Sequence, residues 1–412
     1  MITYKEKTLS NGLTVLANRD PESKMAAVNL LYRVGAVNED PEHTGFAHLF
    51  EHLMFRGTRR VPDFDFPVQR ACGESNAFTS NDYTDYYIVL PKDNIDTALW
   101  LEADRLTGLD IHEQGLETEK SVVVEEYNQR FVNQPYGDHW LLLRSLVYRH
   151  HPYRWSAIGL TPDHVRNATM EQVRSFYERY YVPANAILSV SADMEAERVF
   201  DLAEQWFGDI PSGVRPMDMI PQEPPQTETR RLEVERNVPA DQVTLAFLMG
   251  SRAEREFFLC DYLTDVLAGG FSSRLYEILI KQKQIFSSVN AFISGDVHSN
   301  MFVVTGRLAP NVTVAQAEEA VWEELERLKT ETIGLNESEK VKNKFEANTL
   351  FGELNVMNKA MNLGFYKMLG DTELINREIE IFRSIDPSEI VEMARKNFVP
   401  ERCSTLVIKS RP

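Results

Sequence analysis

The sequence predicts an α+β protein of two similar domains, each a mostly antiparallel sheet packed with helices. Three observations lead there. At 412 residues the chain exceeds what a single hydrophobic core usually organises. Segments of alternating apolar pattern are interleaved with segments of helical period instead of being grouped into one class. Residues 211–229, "PSGVRPMDMIPQEPPQTET", hold five prolines and no periodic apolar pattern, which marks a linker. The expected domains are therefore 1–210 and 230–412.

Each element has a local reason. Asn11-Gly12 supplies turn chemistry between "KTLS" and "LTVLAN", so the chain opens with a hairpin. A strand follows at "AAVNLLYRV". Around "HLFEHLMFRGT", residues 48–58, the period becomes helical, with Phe46, Leu49, Phe50, Leu53 and Met54 forming a broad apolar surface. An alternating strand pair is expected around "SNAFTSNDYTDYYIVLP" and a helix at "NIDTALWLEADRLTG". Residues 116–130, "LETEKSVVVEEYNQR", read as a further helix, although their valine run imitates a strand. Beyond the linker, "RRLEVERN" and "DQVTLAFLMGS" echo the first strands, and "FFLCDYLTDVLAGGFSSRLYEIL" takes the place of the helix at 46–54. There "YLTDVL" stands where the first half has "HLFEHL", so the repeat offers no second pair of histidines.

Composition narrows the function classes. A chain with 43% hydrophobic and 26% charged residues is that of an ordinary soluble globular protein, and no window approaches the roughly 20 apolar residues of a membrane span. The net charge of −18 argues against nucleic acid or anionic lipid as a partner, because both demand a basic surface. Cys72, Cys260 and Cys403 lie far apart and form no metal-type or redox pair. The opening "MITYKEKTLSNGLTVLANRD" lacks an apolar signal region, so the expected location is the cytoplasm, with the periplasm open if a leader has been removed.

The chemistry concentrates at His48, Glu51 and His52. A helix turns about 100° per residue, so the two histidines sit one turn apart on one face with Glu51 beside them. Neutral imidazoles suit zinc, and a carboxylate before the second histidine can hold and deprotonate a water on the metal. His-x-x-Glu-His is the inverted zinc-peptidase signature. The competing reading is an amphipathic helix that happens to bury two histidines. It must find a separate hydrogen-bond partner for each of three groups that one metal would satisfy together. Two histidines leave a zinc ion short of a ligand. His43, His112, His139, His150, His151, His164 and His298 fall in no second motif. Carboxylates of the 116–130 helix are better candidates: Glu119 and Glu126, seven apart, share a face, while Glu125 points about 100° away.

With these residues in view, the chain resembles the M16 (pitrilysin/insulinase-type) metallopeptidases, in particular short bacterial members similar to the mitochondrial processing peptidase subunits. "HLFEHLMFRGT" matches the family's zinc helix, "EKSVVVEEYNQR" its acidic helix, "SNAFTSNDYTDYY" the strand beside its active site and "HPYRWSAIG" another recurrent block. The resemblance spans essentially the whole chain, and Glu126 lies 74 residues beyond His52, close to the family's habit. It implies one zinc ion held by His48, His52 and Glu126, with Glu51 as general base and Glu119 as a supporting acid. It also implies that an extended peptide pairs with the strand at Asn76, Ala77 and Phe78.

The same resemblance exposes a gap. Self-sufficient members offer an arginine and, seven residues later, a tyrosine from the C-terminal half. Aligning "SRLY" and "SVNAF" puts Ile280 and Ser287 at those places, and neither can do that work. Arg274 and Tyr276 belong to the helix start instead. The expectation is a zinc endopeptidase subunit acting on peptides or unfolded segments, completed by an M16-like partner chain in a heterodimer. The alternatives are a self-sufficient homodimeric peptidase and a non-catalytic structural subunit like the core proteins of respiratory complexes.

Overall fold

The computed structural model describes residues 1–217 and 219–411. They form two compact units, the first comprising Met1–Tyr127, Trp155–Ile220 and Thr349–Arg377 and the second Asn128–Arg154, Pro221–Asn348 and Glu378–Pro412. The chain passes between units at Ile220/Pro221, inside the proline-rich stretch. Two segments cross the expected division at 210 and 230. Residues 128–154 join the second sheet, and residues 349–377 return to the first. Nothing in the order of elements announces this exchange.

In the first unit, β1 (Lys5–Thr8), β2 (Thr14–Arg19), β3 (Met25–Tyr32), β4 (Glu74–Thr79), β5 (Thr84–Pro91) and β6 (Ala186–Ala192) form one sheet in the order β1-β2-β6-β3-β5-β4. Only β2 and β6 run parallel. The Asn11-Gly12 turn forms as expected, with Gly12 at φ +87°, a conformation costly for any residue with a Cβ. In the second unit, β7 (Arg230–Arg236), β8 (Gln242–Met249), β9 (Phe286–Ile293), β10 (Asn300–Leu308) and β11 (Cys403–Ser410) follow the order β7-β11-β8-β10-β9. Their one parallel pair is β7 with β11. Without β1, the first sheet has the same connectivity, so the echo read in the sequence is a repeat of topology. No helix among the described residues is long and apolar enough to cross a membrane.

Strand alternation gives the first sheet two covered faces. On one, Ala27 of β3 packs against Val356 and Ala360 of the returning helix Val356–Leu369. Gly364 lets this helix come close, since a Cβ there would stand only 3.0 Å from Asn29 Oδ1 and 3.3 Å from Ser189 Oγ. Under it, the buried Asp85 carboxyl group accepts a hydrogen bond from Asn29. The opposite face presents Tyr32 and Tyr86, whose rings meet edge to face at 5.8 Å. Tyr181 lies 4.7 Å from Tyr32 and 5.3 Å from Phe50, joining the sheet to the helix Phe46–Leu53. Phe46, Leu49, Phe50 and Leu53 are all buried, and each such side chain contributes about 1.5–3 kcal/mol of burial. The apolar stripe thus fixes which way the remaining face of this helix points.

Candidate metal centre

The remaining face carries His48, Glu51 and His52, and the start of the helix is held from outside it. Gly45 precedes Phe46 at φ +89°, and a Cβ there would lie 2.8 Å from the Ile158 carbonyl oxygen. Only glycine fits that approach. The "WSAIG" stretch therefore closes on the helix start, and Trp155 Nε1 donates to the Ala36 carbonyl at 3.1 Å. Glu39 supplies the cap: its carboxylate accepts from the Gly45 and Ala47 amides, both at 2.9 Å, where the helix leaves donors unsatisfied. Burial pushes Glu39 up to about 8, against the downward pull of those amides.

The second wall is the helix Glu113–Tyr127, which buries Leu116, Glu119, Lys120, Val123 and Tyr127 along one stripe. Lys120 donates to the Ala168 carbonyl at 3.1 Å and Tyr127 to the Leu160 carbonyl at 3.0 Å. These anchors settle its rotation, and the valine run proves helical because the stripe has helical spacing. Glu126 Oε2 lies 3.6 Å from His48 Nε2 and 3.3 Å from His52 Nε2. On the other side of the His52 ring, Glu119 Oε2 stands 3.4 Å from Nδ1, while Glu119 Oε1 is 3.3 Å from Arg56 Nε. Glu125 is exposed and outside this cluster.

One donor atom from each of His48, His52 and Glu126 lies within 4.8 Å of the others, and this is the one such group of three among the described residues. Ligand atoms at zinc bond lengths of about 2.1 Å in a tetrahedral arrangement stand about 3.4 Å apart. The 3.3 and 3.6 Å separations match that edge, and two imidazoles with one carboxylate form a donor set suited to an open zinc site. The electrostatics agree. Burial opposes a charge on His52, but hydrogen bonding and attraction to Glu119 and Glu126 outweigh it and raise its pKa to about 9. The pocket is built to stabilise positive charge.

β4 forms one edge of its sheet, paired only with β5. Its register sets Asn76 opposite Tyr87, Ala77 opposite Tyr86 and Phe78 opposite Asp85. Alternation therefore turns Ala77 to the side of the two histidines, and Asn76 and Phe78 to the other, where Phe78 meets Tyr83 at 5.6 Å. Thr79, on the same side as Ala77, donates from Oγ1 to Glu51 Oε2 at 2.7 Å. Sequence inspection missed Thr79, although period two within "SNAFT" pairs it with Ala77. It also missed Gly45, whose signal was a glycine just before an apolar helix, and Glu39, which had no local signal.

A sheet-and-helix repeat with an inverted His-x-x-Glu-His helix in one copy defines a class of metallopeptidase-like proteins. Residues 14–153 match the insulinase (peptidase family M16) model and residues 167–345 the peptidase M16 inactive domain. The chain belongs to the M16 family. It is 28% identical to the Helicobacter pylori protein named zinc protease PqqE, over 98% of this chain and 93% of that one. A crystal structure of a protease from Helicobacter pylori superposes with a TM-score of 0.93 at 28% identity, covering 99% of this chain and 100% of that one. Over 49% of this chain and 44% of the relative, it is 28% identical to a Schizosaccharomyces pombe protein named "Probable mitochondrial-processing peptidase subunit beta".

Proposed function

We propose that the chain is the zinc-binding subunit of an endopeptidase that hydrolyses peptides or unfolded segments. The observation that carries this reading is the convergence of His48, His52 and Glu126 beside Glu51. His48, His52 and Glu126 hold the ion, and Glu119 fixes the orientation of the His52 ring from Nδ1. A bound zinc ion would supply Lewis acidity, lowering the pKa of water and polarising the peptide carbonyl. Glu51 removes a proton from the attacking water and delivers it to the departing amine nitrogen, so no covalent enzyme intermediate is needed. The free edge of β4 receives the extended peptide at Asn76, Ala77 and Phe78 by main-chain pairing, which is tolerant of sequence.

The second half supports a shared site. Ile280 lies in the helical turn Tyr276–Gln282 and has no donor, and Ser287 Oγ donates to the Arg307 carbonyl of its own sheet at 3.2 Å. Arg274 is committed to Glu337 at 2.7 Å. A partner M16-like chain with an arginine and tyrosine would supply the missing grip on the carbonyl oxygen, commonly worth about a hundredfold or more in rate. The test is a titration of a fixed amount of the zinc-loaded chain with such a partner, followed by cleavage of a quenched unfolded peptide. Saturation near equal amounts, with a rise of about a hundredfold, is expected. Full activity without a partner would favour the self-sufficient reading. A chain that takes up no zinc and stays inactive in every pairing would favour the structural subunit.

A further inference from the structure

We propose that Thr79 is a positioning residue for Glu51, holding the general base in one orientation and tying it to the strand that receives the peptide; this rests on the peptidase reading above. A glutamate on a half-buried helix face has three rotatable bonds and several staggered rotamers. The base must nevertheless stay within hydrogen-bond reach of the attacking water, because a small displacement of a reacting group is costly. The Thr79 hydroxyl donates to Glu51 Oε2 at 2.7 Å and so fixes the direction in which the carboxylate points.

The donor is itself rigid. Threonine is β-branched and stiff at χ1. Thr79 is the last residue of β4 and pairs with Thr84, whose own hydroxyl donates to the Val34 carbonyl at 2.9 Å. The hydroxyl that holds the base is thus fixed to the sheet. The side chain of Thr79 reaches inward to Glu51 while the outer edge of the same strand offers main-chain groups to a peptide.

The test compares Thr79→Val, which keeps the shape and removes the donor, with Thr79→Ser, which restores the donor, in the zinc-loaded chain with its partner. Thr79→Val is expected to keep its zinc and its melting temperature and to lower kcat about tenfold to a hundredfold with KM unchanged, the usual effect of losing a hydrogen bond to a charged group. Thr79→Ser should recover most of the rate. Thr79→Ala should show the same loss as valine and serves where valine disturbs folding. In a Glu51→Gln background, Thr79→Val should cost nothing further, because its effect passes through the carboxylate. An unchanged kcat in Thr79→Val, a rise in KM alone, or a loss that serine does not recover would each overturn the proposal. A wild-type chain that cleaves nothing under any pairing would overturn the peptidase reading first, and this inference with it.

Discussion

The helix Phe46–Leu53 of the first unit and the helix Arg255–Ala268 of the second follow the equivalent strands β3 and β8 and precede the equivalent edge strands β4 and β9. Aligned through "HLFEHL" and "YLTDVL", Leu49 matches Leu263 and Leu53 matches Leu267, and all four are buried. Their other faces diverge. Tyr262, Asp265 and Val266 stand where the first helix has His48, Glu51 and His52. Tyr262 and Val266 are buried, and Asp265 is spent on Lys344 at 2.6 Å. The shared leucines are buried in both helices, and the proposed metal donors are an addition to a framework that stands without them. That addition brings two imidazoles and a carboxylate into a half-buried pocket, where each needs a partner.

The comparison breaks most visibly through the donors. His48→Ala, His52→Ala and Glu126→Gln are each expected to lose stoichiometric zinc, whereas Tyr262→Phe and Val266→Ala should leave metal content unchanged. Glu51→Gln should keep zinc and lose about a hundredfold to ten-thousandfold in hydrolysis, the usual contribution of a general base. Metal analysis alongside peptide cleavage checks both, and loss of zinc from Glu51→Gln would sink its assigned role. Next in size are the shared anchors. Leu49→Ala and Leu263→Ala should each cost about 2–5 kcal/mol in denaturant unfolding, but only the first should also weaken zinc binding. Equal effects of both on zinc would contradict the placing of the metal donors on the first helix alone.

A smaller effect is expected at Glu119, which faces Nδ1 of His52 from the second wall at 3.4 Å. Glu119→Gln should weaken zinc binding about tenfold to a hundredfold without removing it, as measured by competition with a chelator. The last concerns the opposite face of the first sheet, away from the histidines. Burial pushes Asp85 up to about 8 from its ordinary value of 3.8, with the Asn29 bond pulling part of the way back. The folded chain therefore keeps this proton longer than the unfolded chain does. Its stabilising contribution is fully present below about pH 4 and is lost as the pH rises through about 8. With chelator in excess, the melting temperature should fall across that window, and Asp85→Asn should flatten the fall.

What the sequence made legible was local. The spacing of His48 and His52 is a property of one helical turn, and the alternation in "SNAFTS" is a property of one strand, so both survive without tertiary knowledge. The acidic helix was legible as a helix bearing Glu119 and Glu126 on one face, and the structure brings both to His52. Period two also sorts the edge strand, with Ala77 and Thr79 on one side and Asn76 and Phe78 on the other. The capping of the two-histidine helix by Glu39 was not legible, because a cap joined through an intervening loop leaves no periodic mark. The exchange of residues 128–154 and 349–377 between units stayed hidden for a related reason. An amphipathic helix records that one face is buried, and nothing about which sheet buries it.

The most direct measurement is anomalous diffraction at the zinc edge from crystals of the zinc-loaded chain. The account predicts one peak per chain, within bonding distance of His48, His52 and Glu126, and none beside Tyr262 or Val266. A peak coordinated by Glu125 in place of Glu126, a second peak in the C-terminal repeat, or no peak at the two histidines would contradict it.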